Sequence, residues 1–286
     1  MLDGVTPLTF VLELFFISIA AGVLGSLLGL GGGIIVIPAL TLLFHVDIRL
    51  AIGASIVSVI ATSSGAAAAY VRERITNMRV GMFLEIATTT GAVTGAYIEG
   101  LVSAKVLYVV FAVVLGYSAL AMFRKRSSKD TEHVVTPVPK DRLADWLSLH
   151  DSYYDEAEKR EIGYQVTHTP LGLGFMYIAG AVSGLLGIGS GALKVPAMDL
   201  AMRLPMKVST ATSNFMIGVT AAASAGVYLF RGDIDPLMAA PVAAGVLMGA
   251  TGGSRVLPRL HNEAVRGIFV AVLVFISVEM LLKGIA

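Results

Sequence analysis

The 286-residue sequence contains no cysteine and is poor in charged residues. Without a thiol, the chain can form no disulfide, bind no metal through thiolates and use no cysteine nucleophile. Charged side chains make up 14% of the residues, whereas they make up about 25% of a typical soluble domain. The formal net charge is +1, and no basic stripe suggests a nucleic-acid partner. These shortages argue against a soluble nucleic-acid-binding protein and favour a membrane protein.

Hydrophobic residues make up 56% of the sequence and are gathered into long uncharged runs. A helix needs about 20 apolar residues to cross the hydrocarbon core. Eight segments reach or approach that length: 14–44, 50–71, 81–98, 106–123, 170–193, 208–230, 237–254 and 267–282. The first residues lack the basic region of a cleaved signal peptide, so we expect the first segment to stay in the membrane. The sequence therefore predicts an all-α, multi-pass protein of the cell membrane.

The two halves of the chain are related by an internal repeat. The segment 22–42 returns at 180–200, with nine of 21 positions identical and no gap. Each half contains four of the hydrophobic segments, and a polar stretch separates the halves. We therefore predict a first transmembrane repeat over 1–123, a cytoplasmic linker over 124–168 and a second transmembrane repeat over 169–286.

A glycine-rich motif interrupts the first apolar run of each half. Gly29-Leu-Gly-Gly-Gly33 has its counterpart in Gly187-Ile-Gly-Ser-Gly191. Each glycine costs about 1 kcal/mol in a helix interior, so the motifs should unwind the helix; the alternative is that they only allow close helix packing. The segments that follow the motifs span about 18 Å and are too short to cross about 30 Å of hydrocarbon. We therefore expect each first segment to be re-entrant, a Gly-broken helix pair that enters and leaves on one side.

The distribution of basic residues tests this arrangement, because Lys and Arg are enriched in cytoplasmic loops. With re-entrant first segments, each half crosses three times, the halves are inverted, and both termini lie outside. Twelve basic residues then lie inside with the linker, against four outside: Arg49, Lys105, Arg231 and Lys283. With eight full crossings the split is nine to seven. The inverted arrangement is favoured, and it is a recurring transporter plan with the substrate site near the midplane.

The two motifs, each followed by a proline at Pro38 or Pro196, resemble those of the TauE/SafE family, the sulfite exporter family of membrane transporters. The stretch Pro205–Ser213 is similar to the segment after the second motif in that family. The resemblance covers nearly the whole chain outside the linker. It implies export or uptake of a small sulfur oxyanion or an organosulfonate, such as sulfite or sulfoacetate. Ser190 departs from the pattern of the first copy, which has Gly32 at this position.

A helix that restarts at a glycine break exposes backbone N–H groups that favour oxyanions. Lys194 follows the second break inside an apolar run, where charged residues are rare and usually functional. It is predicted to be a counter-charge for the anion, the alternatives being that it snorkels to the surface or pairs with a carboxylate such as Asp199. Membrane serines and threonines mostly bond to their own backbone, but the Asn214 amide needs partners. The predicted substrate site comprises Gly31, Gly32, Gly33, Gly189, Ser190, Gly191, Lys194, Ser55, Ser213 and Asn214.

Glu85 lies deeper in an apolar segment than the other membrane carboxylates and is the predicted coupling residue. The histidines have no metal-ligand spacing, so neither a metal nor another cofactor is expected. In the linker we expect a surface helix near 141–149 and a small hairpin formed by Tyr153-Tyr154 and 162–167. A solvated tether is favoured over a regulatory domain for this linker.

The sequence favours a secondary transporter of a small anion over three other classes. A membrane-embedded enzyme is disfavoured, because no catalytic set appears at membrane depth. An anion channel stays open, and a scaffold or receptor would not need two broken helices. The expected partners are a small anion and membrane lipid, with no nucleic acid, and a homodimer is compatible with the sequence.

Overall fold

The computed structural model of the chain describes residues 7–127 and 141–285. The first half contains α1 (Pro7–Leu28), α2 (Gly33–Pro38), α3 (Ile48–Arg72), α4 (Met78–Glu99) and α5 (Ala104–Ser127). The linker contains α6 (Arg142–Trp146), β1 (Asp151–Asp155) and β2 (Arg160–Tyr164). The second half contains α7 (Thr169–Leu186), α8 (Gly191–Pro196), α9 (Met206–Arg231), α10 (Pro236–Gly253) and α11 (Asn262–Ile285). Each half thus has the same order of five helices.

Six helices among the described residues are long and apolar enough to cross a membrane, which confirms an all-α, multi-pass membrane protein. They span Leu8–Leu28, Ile48–Arg72, Thr169–Leu186, Met206–Arg231, Pro236–Arg259 and Glu263–Ile285. Gly33–Leu43 and Ala104–Leu120 are shorter apolar helices. The predicted count of eight membrane segments stays a prediction.

Both glycine motifs interrupt the helix, as predicted. Gly29 and Gly31 have positive φ angles of 67° and 75°, and their repeat equivalents Gly187 and Gly189 have 64° and 80°. These angles fall in the left-handed region, which glycine adopts without the penalty of a Cβ atom. Beyond each break, a short helix continues into a single π-helical turn, Ala39–Leu43 in the first half and Ala197–Ala201 in the second.

The chain reverses direction at each break. In the first half, the Phe10 ring near the start of α1 meets the Phe44 ring edge-on just after the π-helical turn, with centroids 5.0 Å apart. In the second half, the Thr167 N–H just before α7 donates to the Met202 carbonyl just after the other turn, over 3.2 Å. Both ends of each broken segment therefore lie together at one end of the molecule.

The two halves are interleaved rather than side by side. Helix α1 packs on α10, and the equivalent pair is α7 on α4; α3 also packs on α9 and α5 on α11. A Cβ atom on Gly91 would clash with the Tyr177 carbonyl, and one on Gly249 would clash with the Ile19 carbonyl. These contacts are equivalent, because each residue of the first pair is related to one of the second by the repeat offset. The same glycine contact thus builds both helix interfaces.

The linker is packed onto one end of the molecule, here called the linker face. Strand β1 pairs antiparallel with β2, with Tyr153 opposite Ile162, which confirms the predicted hairpin. The Asn77 amide nitrogen donates to the Leu149 carbonyl over 2.9 Å and to the Tyr164 hydroxyl over 3.0 Å. Because these groups are buried, a solvated tether is the wrong interpretation for the described residues 141–168.

Basic residues tie loops together at both ends of the molecule. At the linker face, Lys207 Nζ lies 2.7 Å from Asp155 Oδ1 of the hairpin and 3.1 Å from the Pro258 carbonyl. At the other end, here called the opposite face, Arg49 donates to the Val102 carbonyl over 3.1 Å, and Arg231 forms an ion pair with Glu99. The α8–α9 loop thus lies with the linker, and the α2–α3 loop lies at the far end.

Candidate functional site

The two breaks meet in the interior, where two serines predicted as site residues join them. Ser55 Oγ on α3 donates to the Gly187 carbonyl over 2.6 Å, and Ser213 Oγ on α9 donates to the Gly29 carbonyl over 2.7 Å. The two hydrogen bonds are equivalent under the repeat, and both serines are fully buried. Each half therefore satisfies a carbonyl that the break in the other half leaves without a helical partner.

The starts of α2 and α8 are packed against the opposite break. A Cβ atom on Gly33 would clash with Ser55 Oγ and crowd the Gly187 carbonyl, and one on Gly191 would clash with the Gly29 carbonyl. The Gly32 N–H donates to Thr62 Oγ1 over 2.9 Å, and the Gly191 N–H to the Gly189 carbonyl over 2.8 Å. In this arrangement both N–H groups are satisfied within the protein.

Ser190 and Asn214 are both buried and bond mainly to the backbone, Ser190 within the second break and Asn214 at the end of α1, beside the first break. Ser190 has a positive φ of 57°, and its hydroxyl donates to the Gly189 carbonyl over 2.7 Å. Asn214 Nδ2 donates to the Ser26 carbonyl over 2.7 Å, which ties α9 to the end of α1. Asn214 Oδ1 has no hydrogen-bond partner among the described residues. The Asn214 side chain thus keeps its amide oxygen unused as an acceptor beside the first break.

Lys194 lies on the first turn of α8 and is fully buried. Its Nζ donates to Thr220 Oγ1 over 2.6 Å and lies 3.4 Å from Glu85 Oε2. The carboxylate partner is therefore Glu85 rather than Asp199, which lies 3.3 Å from Arg266 Nη2. Asp199 lies five residues further on, in the π-helical turn, and is paired there with Arg266. The structure thus brings together the predicted counter-charge and the predicted coupling residue.

Three hydroxyls complete the polar cluster around Glu85. Thr220 Oγ1 donates to Oε1 over 2.6 Å, Thr88 Oγ1 to Oε2 over 2.9 Å and Thr89 Oγ1 to Oε1 over 3.1 Å. Thr88 and Thr89 follow Glu85 at i+3 and i+4, the spacing at which helical side chains are neighbours. These threonines were not predicted as site residues; the signals that could have found them are this spacing and, for Thr220, its repeat equivalence to Thr62.

The charged pair of this cluster has no charged equivalent under the repeat. Val36 stands at the position equivalent to Lys194, and Ala243 at the position equivalent to Glu85. Thr62, the equivalent of Thr220, accepts the Gly32 N–H and donates to the Ser58 carbonyl over 2.8 Å. The cluster nevertheless draws on both halves, because Glu85 belongs to α4 and Lys194 to α8.

A cavity of about 420 Å³ lies between α5, α7 and α8. Its lining is apolar apart from a tyrosine and includes Tyr117, Phe175, Pro196 and Leu200. None of the predicted substrate residues lines this cavity. Lys194 and the two break serines, Ser55 and Ser213, are instead fully buried.

The sulfite exporter TauE/SafE family model matches residues 14–280 of the chain. The probable membrane transporter protein YunE of Bacillus subtilis (strain 168) is 28% identical over 279 residues, which cover 95% of this chain and 97% of YunE. YdhB of the same organism, also a probable membrane transporter protein, is 25% identical over 247 residues, covering 86% of this chain and 88% of YdhB. MamO of Magnetospirillum gryphiswaldense is 22% identical over 285 residues, which cover 95% of this chain and 45% of MamO. No solved structure matches the chain significantly.

Proposed function

Because the chain belongs to the sulfite exporter TauE/SafE family of membrane transporters, we propose that it is a secondary transporter, and not an enzyme, for a small anion. The family description and the names of the relatives support membrane transport. The substrate class that we propose is a small sulfur oxyanion such as sulfite or an organosulfonate. The proposed site lies near the membrane midplane, between the two halves.

The observation that carries the proposal is the buried ammonium of Lys194 next to the second glycine break. A charged side chain at membrane depth is costly, and such residues usually mark substrate or ion pathways. Lys194 lies three residues beyond Gly191, in the short helix α8 that begins at the break. An anion that reached this point would meet a fixed positive charge and the Thr220 hydroxyl. Both are groups that bind sulfonate or sulfite oxygens well.

We propose that the two broken segments are re-entrant and that the halves are inverted in the membrane. Support comes from the chain reversals at Phe44 and Met202, which bring both ends of each broken segment together. The basic residues support the same arrangement, because Lys207 and the linker share one end of the molecule while Arg49 and Arg231 lie at the other. With the linker face cytoplasmic, this distribution follows the positive-inside rule.

Single-cysteine labelling tests the inverted arrangement cleanly, because the chain contains no cysteine. Arg203, Glu156 and Ser103 are exposed, and they lie in the α8–α9 loop, the linker hairpin and the α4–α5 loop. We expect an impermeant reagent outside the cell to label Ser103→Cys and to spare Arg203→Cys and Glu156→Cys. Labelling of Arg203→Cys from the same side as Ser103→Cys would rule out the arrangement.

The substrate class is tested by thermal-shift and calorimetric titration of the purified protein with sulfite, sulfate, thiosulfate, taurine, sulfoacetate and simple carboxylates. A ligand that binds only the folded state stabilises it by about 2.7 kcal/mol at 100 times its Kd. We expect sulfur oxyanions or sulfonates to stabilise the protein and carboxylates to do so less. Lys105→Met is the matched control for loss of an exposed lysine and should leave binding intact. Failure of every anion to bind would refute the proposed function.

A further inference from the structure

The buried ammonium of Lys194 is already matched by a carboxylate. Glu85 Oε2 lies 3.4 Å from Lys194 Nζ, and the Glu85 side chain is only 11% exposed. The ionised form of Glu85 is also the form that accepts hydrogen bonds from Thr220, Thr88 and Thr89. In the state that the structure shows, the pair is therefore electrically balanced, and Lys194 has no charge to spare for an anion.

No other charged group contacts the pair from the helices packed around it in the described residues. Helix α7, which packs on α4, carries no charged residue, and Tyr177 is its one titratable group. The other charged side chains of α4, α9 and the α8 segment contact partners elsewhere, mostly toward the two ends of the molecule: Arg79, Glu99, Asp199, Lys207 and Arg231. The charge balance at this point is thus set by Lys194 and Glu85.

An anion next to Lys194 would also lie next to Glu85. Two negative charges within about 4–6 Å disfavour each other, and the carboxylate relieves this by taking up a proton. Binding of the anion alone would leave a buried net negative charge, which is costly in a low-dielectric site. Binding of a monoanion, such as a sulfonate, together with a proton on Glu85 keeps the site neutral. The geometry therefore links the two events.

We propose that Glu85 takes up one proton from solution when the anion binds to Lys194, so that the protein carries the anion together with a proton. The Lys194 ammonium stays protonated, exchanges the Glu85 carboxylate for the anion and returns to Glu85 when the proton and the anion leave. Thr220 positions both side chains, because its hydroxyl accepts from Lys194 and donates to Glu85. This inference rests on the proposed anion site and adds its coupling ion.

The experiment is a calorimetric titration of the intact protein with isethionate and with methanesulfonate, monoanions whose charge stays constant from about pH 5.5 to 8.5. Uptake of one proton predicts that anion affinity falls about tenfold per pH unit wherever the free protein holds Glu85 ionised. Glu85→Gln mimics the protonated carboxyl, so its affinity should match the low-pH value of the wild type and stay flat with pH. Glu99→Gln, which alters another buried carboxylate of α4, is the matched control and should keep the wild-type slope.

Proton uptake by the wild type is measured independently, from the dependence of the binding enthalpy on the ionisation enthalpy of the buffer. We expect one proton per anion, and this readout holds even if Glu85→Gln does not fold. Anion binding with no proton uptake, or an unchanged pH slope in Glu85→Gln, would overturn the coupling and leave the anion site standing. Absence of binding by either anion at every pH, in every variant, would instead refute the anion site itself.

Discussion

The two halves of the molecule share a frame but differ at its centre. In both halves a serine hydroxyl bonds to a carbonyl of the opposite break: Ser55 to Gly187 and Ser213 to Gly29. In both, a buried tyrosine near the end of the third helix donates to a carbonyl near the end of the first: Tyr70 to Ser26 and Tyr228 to Gly184. These hydrogen bonds thus obey the repeat, both the tyrosine bonds within one half and the serine bonds between the two halves.

The centre, by contrast, does not follow the repeat: the site formed by α4 and α8 holds two charged residues, and the equivalent positions on α10 and α2 are apolar. Lys194 and Glu85 stand where the equivalent residues are Val36 and Ala243. A second buried lysine at position 36 would need its own carboxylate, since an unpaired buried charge is costly. The repeat therefore builds the scaffold. The charged pair arises because only one of the two equivalent positions is charged in each case: Lys194 but not Val36, and Glu85 but not Ala243.

The largest loss of stability is expected at the ion pair between Asp155 of the linker hairpin and Lys207 of α9. Asp155→Asn leaves the Lys207 ammonium buried without its carboxylate, and breaking a buried ion pair costs about 3–5 kcal/mol. Arg49, the repeat equivalent of Lys207, lies 3.7 Å from Glu99 with 44% of its side chain exposed. Arg49→Met should therefore cost about 1 kcal/mol or less. Thermal unfolding of both variants in the same detergent measures the difference, and equal losses would show that the buried pair stabilises the fold no more than the exposed one.

The second-largest effect is expected from removal of Lys194, which should lower anion affinity. A hydrogen bond to a charged group contributes about 1.5–3 kcal/mol, so Lys194→Met should weaken binding about 10- to 150-fold. The double variant Lys194→Met/Glu85→Gln removes the unpaired carboxylate as well, and it should recover stability without recovering affinity. Val36→Ala changes the equivalent site of the first half and is the control. Unchanged affinity in Lys194→Met would remove Lys194 from the site.

A smaller and symmetric effect is expected from the two serines. Ser55→Ala and Ser213→Ala each leave one buried break carbonyl without its donor, which costs about 1–3 kcal/mol. Because the two bonds are equivalent, the two variants should lose similar stability in thermal unfolding. Ser58→Ala is the control, since Ser58 bonds within its own helix to the Ser55 carbonyl. A loss confined to one of the two serines would show that the breaks do not share one frame.

The weakest effect is a pH dependence of the linker contact. Burial by itself would raise the pKa of Asp155, but the Lys207 ammonium and the Glu158 N–H bring the pKa of Asp155 below its usual range. A lowered pKa in the folded state means that the stabilisation is fully present above about pH 4 and is lost as the pH falls through the folded-state value. The melting temperature of the wild type should therefore fall more steeply in acid than that of Asp155→Asn. Parallel curves would contradict this role of Asp155.

Much of this arrangement can be predicted from local sequence. The glycine motifs predict the breaks because clustered glycines destabilise a helix interior, and a lone lysine in an apolar run indicates function. The partner of Lys194 is not predictable in this way, because Glu85 lies 109 positions away on a helix that only the interleaving of the halves brings near. The packing of the linker against the helices could not be predicted in this way. The segment is polar in composition, although its side chains Tyr153, Ile162 and Tyr164 are buried.

Proton-coupled transport is tested most directly by uptake of radiolabelled isethionate, a monoanion, into proteoliposomes with an acidic exterior and a neutral interior. Wild-type protein should accumulate the anion above its external concentration, and a protonophore should abolish the accumulation. Glu85→Gln should let the anion equilibrate without accumulating it. Wild-type uptake that stops at the external concentration, with or without the proton gradient, would contradict the account and indicate a passive channel.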